Sequence, residues 1–364
     1  MKAAVLYEGN RHLEIRELAQ DAPKAGEVRV ETNAAGICAS DHHVISGTAV
    51  ASLLPAVLGH EGSGTVVEAG PGVTRVKPGD RCILAFVSNC GHCKSCRTGF
   101  PNLCDTNMAT GWRQFDGTVR LHDGDDDVYQ MTKLGVFGES MVIPQQSCHP
   151  IPDGVPAEVA ALIGCSVTTG VGAVINNPAS KVGMTVAVFG CGGVGLNVIQ
   201  GARLFNASRI IAVDVYDHKL EFTYKFGATD VINARGTDAV EAIKELTGGG
   251  VDMAFDAFGS PQTTADMLKS VRKAGTGVII GLAPDGATAP VDLVEMIRHQ
   301  KTLMGSYYGS VSPHETFGTL VDMYLKGRIE IDSLIVRRYS LEQINEAFDA
   351  LAAGEDGRGV IVYR

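Results

Sequence analysis

The chain has 364 residues, which is long for one typical domain and fits two. Hydrophobic residues make up 45% of it, and its formal net charge of -10 disfavours binding to the phosphate backbone of a nucleic acid. No run approaches the length of a membrane-spanning helix, and the first residues lack a signal-peptide core, so we expect a cytoplasmic protein that binds neither membrane nor nucleic acid.

The N-terminal part, up to about residue 150, is predicted to be rich in β-strands. Residues 28–32 alternate between apolar and polar side chains, as a half-buried strand does. Glycine and proline turns recur at 70–72 and 77–80, and helical periodicity is scarce. We therefore expect an irregular β-domain rather than a repeat array.

Beyond residue 165 the pattern changes to alternating strands and helices. Strands are predicted at 185–189, 209–213, 231–232, 251–255 and 277–280, and helices at 194–204, 217–227, 237–247 and 262–274. This alternation predicts a parallel sheet covered on both faces. After about residue 309 two further helices, 314–326 and 341–353, and a strand at 359–363 are predicted.

A glycine-rich turn follows the strand at 185–189 and begins the next helix. Gly190, Gly192 and Gly195 have the G-x-G-x-x-G spacing, with Gly193 and Val194 between them. This spacing lets backbone N–H groups approach a pyrophosphate at a helix N-terminus. Asp214 ends the next strand, where a carboxylate accepts hydrogen bonds from ribose hydroxyls and repels a 2′-phosphate. The pattern predicts NAD rather than NADP; the alternative is a glycine turn beside a surface aspartate.

Four cysteines lie in one loop, at Cys90, Cys93, Cys96 and Cys104. Gaps of two residues let consecutive sulfurs converge on one ion, and four sulfurs complete a tetrahedral zinc shell. Such a shell has no open position, so the loop is predicted to hold a structural zinc. The alternatives are a nucleic-acid-binding zinc ribbon, which the acidic charge disfavours, and a pair of disulfides, which a reducing compartment disfavours.

A second candidate metal site is dispersed over Cys38, His60 and Cys165. A lone buried cysteine or histidine is usually a packing residue, and none of the three is convincing singly. Their combination with a dinucleotide motif and a closed zinc loop favours a second metal.

These motifs together resemble the zinc-containing medium-chain alcohol dehydrogenases, over nearly the whole chain. The resemblance is carried by Gly59-His60-Glu61-x-x-Gly64, the four-cysteine loop, Gly164-Cys165 and the glycine-rich turn. Residues 38–43, 136–142 and the extended loop at 117–135 are most similar to the branch with class III-like and nicotinoprotein enzymes. The resemblance implies an α/β fold: a GroES-like β-rich catalytic domain, 1–166 and 309–364, and a doubly wound Rossmann domain, 167–308.

The same resemblance implies the roles of the residues around the dispersed metal site. Cys38, His60 and Cys165 would hold a catalytic zinc whose fourth position takes water or substrate. Asp41 would orient His60, and Glu61 could approach the metal transiently during ligand exchange. Ser40 would accept the alcohol proton and pass it through the cofactor ribose to His43, although spacing alone cannot choose between His42 and His43.

Other positions are implied to contact the cofactor or the substrate. Lys219, Arg358, Thr169 and Leu282 match cofactor positions, and Phe86, Leu134 and Leu282 match the substrate pocket or its edge. One departure is Ala39, which replaces a basic residue that is common beside the first cysteine and pairs with the pyrophosphate. Losing that charge-assisted contact alters the affinity for NAD and its release.

The sequence therefore predicts an NAD-dependent alcohol dehydrogenase with two zinc ions per chain, one catalytic and one structural. Its substrate would be a small primary or secondary alcohol, alkyl or aryl, and the resemblance implies a homodimer or homotetramer. Substrate identity depends on loops near 49–56, 108–137 and 307–310 and cannot be deduced. The alternatives are a dehydrogenase of thiol–formaldehyde adducts, a nicotinoprotein that retains its NAD, and a zinc-stabilised binding protein on the same fold.

Overall fold

The computed structural model describes residues 1–9, 12–48 and 53–363. The chain folds into two compact units, which are described separately. The first unit comprises Met1–Cys165, Val311–Gly327 and Ile331–Arg364, and the second comprises Ser166–Ser310 and Arg328–Glu330. The predicted domains differ from these units by a residue or two at the boundaries, and they place 328–330 in the first part rather than the second.

Strands occur along the whole chain. In chain order they are β1 (Lys2–Leu6), β2 (Glu14–Glu17), β3 (Ala19–Gln20), β4 (Glu27–Gly36), β5 (Ala56–Val57), β6 (Gly62–Ala69), β7 (Arg81–Leu84), β8 (Leu121–Asp123), β9 (Asp126–Gln130), β10 (Ser140–Pro144), β11 (Cys148–Pro150), β12 (Thr185–Phe189), β13 (Arg209–Asp214), β14 (Asp230–Asn233), β15 (Val251–Asp256), β16 (Val271–Ile279), β17 (Thr302–Gly305), β18 (Ile335–Tyr339) and β19 (Arg358–Val362).

Helices are short in the first unit and longer in the second. In chain order they are α1 (Ala39–Ile45), α2 (Lys94–Arg97), α3 (Asp105–Thr110), α4 (Ala157–Leu162), α5 (Thr168–Ile175), α6 (Gly193–Leu204), α7 (Asp217–Thr223), α8 (Ala239–Thr247), α9 (Pro261–Ser270), α10 (Leu293–His299), α11 (Pro313–Leu325) and α12 (Ile344–Ala352). A π-helical segment, Ile163–Val167, connects α4 to α5.

Two β-sheets form the frame of the first unit. One has the strand order β2-β1-β5-β9-β8-β3, and the other has the order β11-β7-β6-β4-β19-β18, with β10 also paired to β4. The long strand β4 pairs with β6, β10 and β19, so both early and late parts of the chain are fixed to it. Its last residue, Gly36, directly precedes the segment that carries Cys38.

The second unit is built on one parallel six-stranded sheet, in the order β14-β13-β12-β15-β16-β17. Its central strands are almost continuously apolar and buried, as strands covered on both faces must be. Phe189, Ile211, Ile243 and Ala254 belong to one core cluster that joins the sheet to its helices. The predicted α/β fold with a doubly wound parallel sheet is confirmed.

One long apolar helical stretch contradicts the expectation about membrane-length runs. Residues Ala157–Ile175 form 19 helical residues with a mean hydropathy of 1.7, which by length and composition alone could cross a membrane. Their most apolar window is 83% buried within the protein, as in the core helix of a globular unit. The prediction that no apolar run reaches membrane-spanning length was wrong because the glycines in this stretch were taken to interrupt the apolar run. Gly170, for example, allows close packing: a Cβ there would lie 2.4 Å from the Val194 carbonyl oxygen.

Candidate active site

Cys38 lies where strand β4 gives way to helix α1. Its backbone is extended, with φ -124° and ψ 147°, and it forms the N-cap of α1. The first turn of this helix carries Asp41, whose side chain is fully buried. A buried carboxylate beside a buried thiol is expected only where a specific group compensates its charge.

His60 lies in the loop between β5 and β6, and a glycine precedes it for steric reasons. Gly59 has a φ of +92°, and a Cβ there would lie 2.7 Å from a Val136 methyl group and 3.0 Å from the Phe137 ring. Only glycine combines that backbone conformation with that close approach. The tight turn directs the His60 ring into the interior, where it is 3% exposed.

The three dispersed ligand candidates converge. Cys165 lies in the π-helical segment, a type of helix irregularity that is frequent at functional sites. The ligand atoms of Cys38, His60 and Cys165 lie within 4.8 Å of one another, and the Cys165 Sγ lies 3.3 Å from the His60 Nε2. All three residues are buried. Two thiols and an imidazole at this spacing form a donor set that fits zinc and leaves one tetrahedral position open.

Asp41 fixes the orientation of the His60 ring. Its Oδ1 lies 3.1 Å from the His60 Nδ1 and accepts a hydrogen bond of 3.0 Å from the Gly59 N–H. Burial raises the pKa of Asp41, while the His60 ring acts in the opposite direction. A carboxylate on Nδ1 leaves Nε2 free to bind a metal. The orienting role that the resemblance implied for Asp41 therefore has the required contact.

The thiol of Cys38 is placed where its thiolate form is favoured. Its contact with Cys165 lowers its pKa well below the ordinary value, burial opposes this, and the positive charges of His60 and Arg358 lower the pKa further. The thiolate is the form of cysteine that ligates metals. This electrostatic environment agrees with the zinc-binding donor set.

Glu61 has a buried partner that the sequence did not indicate. Its carboxylate accepts a hydrogen bond from the Arg358 guanidinium, which also donates to the Ile37 carbonyl oxygen at 2.8 and 3.2 Å. Gly36 provides the space, because a Cβ there would lie 2.7 Å from the Glu61 Cδ. Arg358 had been assigned to the cofactor, and that assignment stays a prediction. No sequence motif links positions 61 and 358.

Ser40 and His43, the predicted proton relay, lie one turn apart on α1. This spacing places their side chains on the same face of the helix. His43 is half-buried, its Nδ1 lies 3.0 Å from the Thr48 Oγ1, and burial followed by the charge of His42 lowers its pKa. The His42 ring instead stacks on Phe348, with centroids 6.5 Å apart. The engagement of His42 favours His43 as the relay base.

The four cysteines of the second site also converge. The sulfurs of Cys90, Cys93, Cys96 and Cys104 lie within 4.8 Å of one another, and all four are free thiols. Backbone N–H groups donate to these sulfurs: Cys90 N to Cys104 at 3.3 Å, Cys93 N to Cys90 at 3.3 Å, Cys96 N to Cys93 at 3.5 Å, and Asn107 N to Cys104 at 3.4 Å. Hydrogen bonds of this kind stabilise thiolates, so this donor set fits a closed zinc shell.

The second unit contains the glycine-rich turn between β12 and α6, as predicted. Gly190 has a φ of +93°, and a Cβ on Gly195 would lie 1.9 Å from the Gly190 carbonyl oxygen, so no other residue fits at 195. Gly192 is the N-cap of α6, and Gly193 and Val194 are its first residues. The turn therefore exposes the N-terminus of a twelve-residue helix, the arrangement that binds a pyrophosphate.

Asp214 ends strand β13 beside this turn. Its carboxylate accepts hydrogen bonds from the backbone N–H groups of Cys191 at 2.8 Å and Val215 at 2.7 Å. It therefore fixes the turn as well as being available for a ribose. Lys219 lies nearby on α7, with its Nζ 5.2 Å from the centre of the Tyr216 ring. Both predicted cofactor residues lie at the carboxyl edge of the parallel sheet, where such sheets bind ligands.

The remaining predicted positions differ in exposure. The Phe86 ring packs edge-on against His60, with centroids 5.4 Å apart. Thr169 is partly buried on α5, and Leu282 is 57% exposed. Leu134 has no exposed surface, and its role in a substrate pocket stays a prediction. Of the loop at 49–56, residues 49–52 lie outside the described part of the chain.

Comparison with known proteins identifies the family. Residues 24–153 match the model of the alcohol dehydrogenase GroES-like domain, and residues 193–326 match that of the zinc-binding dehydrogenases. An S-(hydroxymethyl)glutathione dehydrogenase of Saccharomyces cerevisiae is 38% identical over 371 residues, covering 99% of this chain and 95% of that protein. The chain belongs to the zinc-binding alcohol dehydrogenase family.

Other members of this alcohol dehydrogenase family are similar to the same extent. An NDMA-dependent alcohol dehydrogenase of Amycolatopsis methanolica is 39% identical, covering 100% of this chain and 98% of that protein. The crystal structure of benzyl alcohol dehydrogenase from Acinetobacter calcoaceticus has a TM-score of 0.94 and 31% identity, covering 100% of this chain and 99% of that one. The predictions of a GroES-like part, of an alcohol-dehydrogenase oxidoreductase and of zinc binding are confirmed.

Proposed function

We propose that this alcohol dehydrogenase interconverts a small primary or secondary alcohol and its aldehyde or ketone, using NAD, at a zinc held by Cys38, His60 and Cys165. The observation that supports this best is the convergence of two buried thiols and one oriented imidazole from three remote stretches of chain. When bound there, zinc supplies Lewis-acid polarisation of the substrate oxygen. Phe86, packed against His60, contributes an apolar wall suited to an alkyl or aryl substituent.

The proton of the alcohol leaves through the side chains of α1. Ser40 accepts the hydroxyl proton as it releases its own, and His43, on the same face of α1, is the final proton acceptor. Because burial and His42 lower the pKa of His43, its neutral, proton-accepting form predominates near neutral pH. Asp41 maintains the His60 tautomer throughout and takes no proton itself.

The second unit binds the cofactor, which supplies the hydride acceptor. The glycine-rich turn offers backbone N–H groups at the start of α6 for a pyrophosphate, and Gly195 keeps the turn close to the sheet. Asp214 would accept hydrogen bonds from ribose hydroxyls and repel a 2′-phosphate, which would favour NAD over NADP. Lys219, Thr169, Leu282 and Arg358 would be further cofactor contacts.

The proposal is tested with zinc analysis and a panel of alcohols assayed by NADH absorbance. Wild-type protein should contain two zinc ions per chain and reduce NAD with at least one alcohol. Cys165→Ala should lose one zinc and all activity, whereas Cys82→Ala, at a buried cysteine outside both clusters, should keep both. Full activity of Cys165→Ala, or a wild-type protein without alcohol-dependent NAD reduction, would overturn the proposal.

A second candidate is favoured by the similarity to S-(hydroxymethyl)glutathione dehydrogenase, which equals that to the alcohol dehydrogenases. The same zinc and relay residues would oxidise the adduct of formaldehyde with a small thiol. Oxidation of formaldehyde that requires added thiol identifies this function, and thiol-independent oxidation of simple alcohols excludes it as the main one. A third outcome, NAD that stays bound through gel filtration and turns over only with an external acceptor, identifies a nicotinoprotein.

We also propose that the enzyme is a cytoplasmic homodimer. Leu293, Val294 and Ile297 of α10 are 72%, 57% and 77% exposed, which is unusual for large apolar side chains. Strand β17 forms an edge of the parallel sheet, where a second copy could add its own strand. Light scattering should show a dimer that Ile297→Glu converts to a monomer, and a wild-type monomer would overturn this proposal.

The cytoplasmic location is supported by the cysteines. All nine cysteines are free thiols, as in a reducing compartment.

A further inference from the structure

Lys133 is a buried cation without a carboxylate partner. Its side chain has no exposed surface, and none of the described carboxylates lies within ion-pair distance of its Nζ. The Nζ donates hydrogen bonds to the carbonyl oxygens of Asn107 at 3.1 Å and Gly111 at 2.6 Å, and it lies 5.7 Å from the centre of the Phe115 ring. An ammonium is rarely this buried unless negative charge lies near it.

The contacts of Lys133 lead to the four-cysteine site. Asn107 and Gly111 belong to the last turn of α3 and the residue after it, and Cys104 is the N-cap of this helix. The Cys104 Sγ accepts a hydrogen bond from the Asn107 N–H, so one residue contacts both the sulfur and the ammonium. Burial lowers the pKa of Lys133 to about 8, and a Cys104 thiolate raises it.

The four-cysteine site needs positive charge near it. Four thiolates carry more negative charge than a divalent ion neutralises, and the backbone N–H groups that point at the sulfurs offset only part of the excess. In the lobe formed by residues 90–111, Lys94 and Arg97 are exposed to solvent, which screens their charge. Lys133 is therefore the cation whose interaction with the site is least weakened by water.

The backbone at Lys133 adopts a conformation that its own residue type disfavours. Thr132 and Lys133 have φ values of 54° and 69°, in the left-handed region where non-glycine residues are uncommon. Such strain persists only when surrounding interactions require it. Two sets of contacts hold Lys133 there: the ammonium donates to two carbonyl oxygens, and the Lys133 carbonyl oxygen accepts hydrogen bonds from the side-chain amides of Gln114 and Gln130.

We propose that Lys133 is a positioning residue of the four-cysteine zinc site: its ammonium neutralises part of the thiolate charge while it holds the carboxyl end of α3. This role rests on the proposed structural zinc at Cys90, Cys93, Cys96 and Cys104. It predicts that the retention of this zinc, rather than the catalytic chemistry, depends on the charge at position 133.

The test measures zinc release to a chromogenic chelator from the metal-replete enzyme. Lys133→Met should release the zinc of the four-cysteine site at least about tenfold faster than wild type, because a charge interaction that is shielded from water can exceed the roughly 1.4 kcal/mol that corresponds to a factor of ten. Lys94→Met, at an exposed lysine of the same lobe, should release it at the wild-type rate. Equal release rates for Lys133→Met and wild type would overturn the proposal.

A second variant separates charge from backbone strain. Lys133→Gly removes the ammonium but also relieves the left-handed conformation, so it should fold readily and still lose zinc faster than wild type. If Lys133→Gly retains zinc as long as wild type does, the charge has no role. Cobalt gives an independent readout: its thiolate-to-metal absorption should move to longer wavelength in Lys133→Met and stay in place in Lys94→Met.

A separate measurement shows whether the four-cysteine site binds zinc at all. If wild-type protein and a Cys93→Ser variant contain the same amount of zinc, the four-cysteine site holds none, and the proposed structural zinc fails. If wild type holds this zinc but Lys133→Met shows neither faster release nor a displaced cobalt band, only the role of Lys133 fails.

Discussion

Glu61 and Arg358 form a hydrogen-bonded ion pair inside the first unit, 297 positions apart in the chain. Glu61 has no exposed surface and Arg358 is 5% exposed, so the pair is shielded from water. Burial opposes the charge of the guanidinium, but the Glu61 carboxylate together with the negative charges of Cys38 and Cys165 outweighs this effect and raises the pKa of Arg358. Glu61 directly follows His60, a proposed zinc ligand, so the ion pair lies beside the candidate metal site.

Removing one partner of this ion pair should lower the stability of the folded protein. Arg358→Met leaves the Glu61 carboxylate buried and unpaired, so we expect the free energy of unfolding to fall by about 3–5 kcal/mol. Arg337→Met is the matched control, because Arg337 is 52% exposed and pairs with the surface residue Glu355. Urea unfolding of the zinc-loaded protein at pH 7 should show a far smaller change for that control, because solvent screens an exposed ion pair. Equal losses for both variants would contradict the importance of the buried pair.

Asp41 should be needed to retain the zinc at Cys38, His60 and Cys165. In Asp41→Asn the oxygen on the His60 Nδ1 loses its charge, so we expect zinc affinity at that site to fall about 10–100-fold. Competition with a chelator measures this, with Asp349→Asn on the exposed face of α12 as control. A variant that binds zinc as tightly as the control would show that Asp41 does not support the ligand.

The four-cysteine loop should stabilise the fold rather than serve the chemistry. Cys93→Ser removes one ligand, so we expect the Tm to fall by about 5–10 °C through loss of the binding free energy of the metal. Differential scanning calorimetry of Cys93→Ser and Cys165→Ala, each with its zinc content measured, compares the two sites. A wild-type Tm for Cys93→Ser combined with lost activity would reverse the assigned roles.

Stability should fall in acid partly because of two stacked histidines of the first unit, His149 and His314, whose rings lie 5.6 Å apart. Burial, and to a lesser extent the charge of Arg75, lowers the pKa of His149 to about 4 and that of His314 to about 3. In the unfolded chain each titrates near its ordinary value of about 6.5. Below that pH the unfolded state binds protons that the folded state excludes, so their contribution is lost as pH falls from about 6.5 towards 4.

The variant His314→Gln should make this acid dependence less steep. Each histidine contributes up to about 1.4 kcal/mol per pH unit, so removing one reduces the slope of unfolding free energy against pH by that amount. The exposed His92 supplies the control variant, His92→Gln. Urea midpoints measured between pH 7 and 4 check the prediction. If the slopes of His314→Gln and His92→Gln match, burial of the pair has no such effect.

Motifs confined to one loop could be predicted from the sequence because their spacing determines their geometry. The sulfurs from Cys90 to Cys104 and the glycines from Gly190 to Gly195 converge as that spacing requires. The dispersed ligand candidates were weak individually, because nothing local links Cys38 to Cys165, and only their combination with the other motifs and the family resemblance indicated a shared metal site. Helix α1 was missed, since seven residues are too few to show an apolar period.

Contacts between residues that are remote in the sequence could not be predicted from local sequence patterns. Gly36 looks like any glycine at the end of a strand until the Glu61 side chain is found in the space it leaves. Lys133 looks like an ordinary surface lysine, and only its burial and its two carbonyl contacts distinguish it. Both features depend on tertiary packing, which propensity and periodicity do not encode.

Strand β19 lies between β4 and β18 in the sheet of the first unit, although it is the last strand along the chain. During synthesis on the ribosome, residues 1–165 therefore emerge without β18 and β19, so the end of β4 from Ala34 to Gly36 lacks its partner strand, while the second unit can close as soon as residue 330 has left the exit tunnel. The first unit can therefore complete its sheet only after the last strand has been synthesised, although most of its residues emerge first.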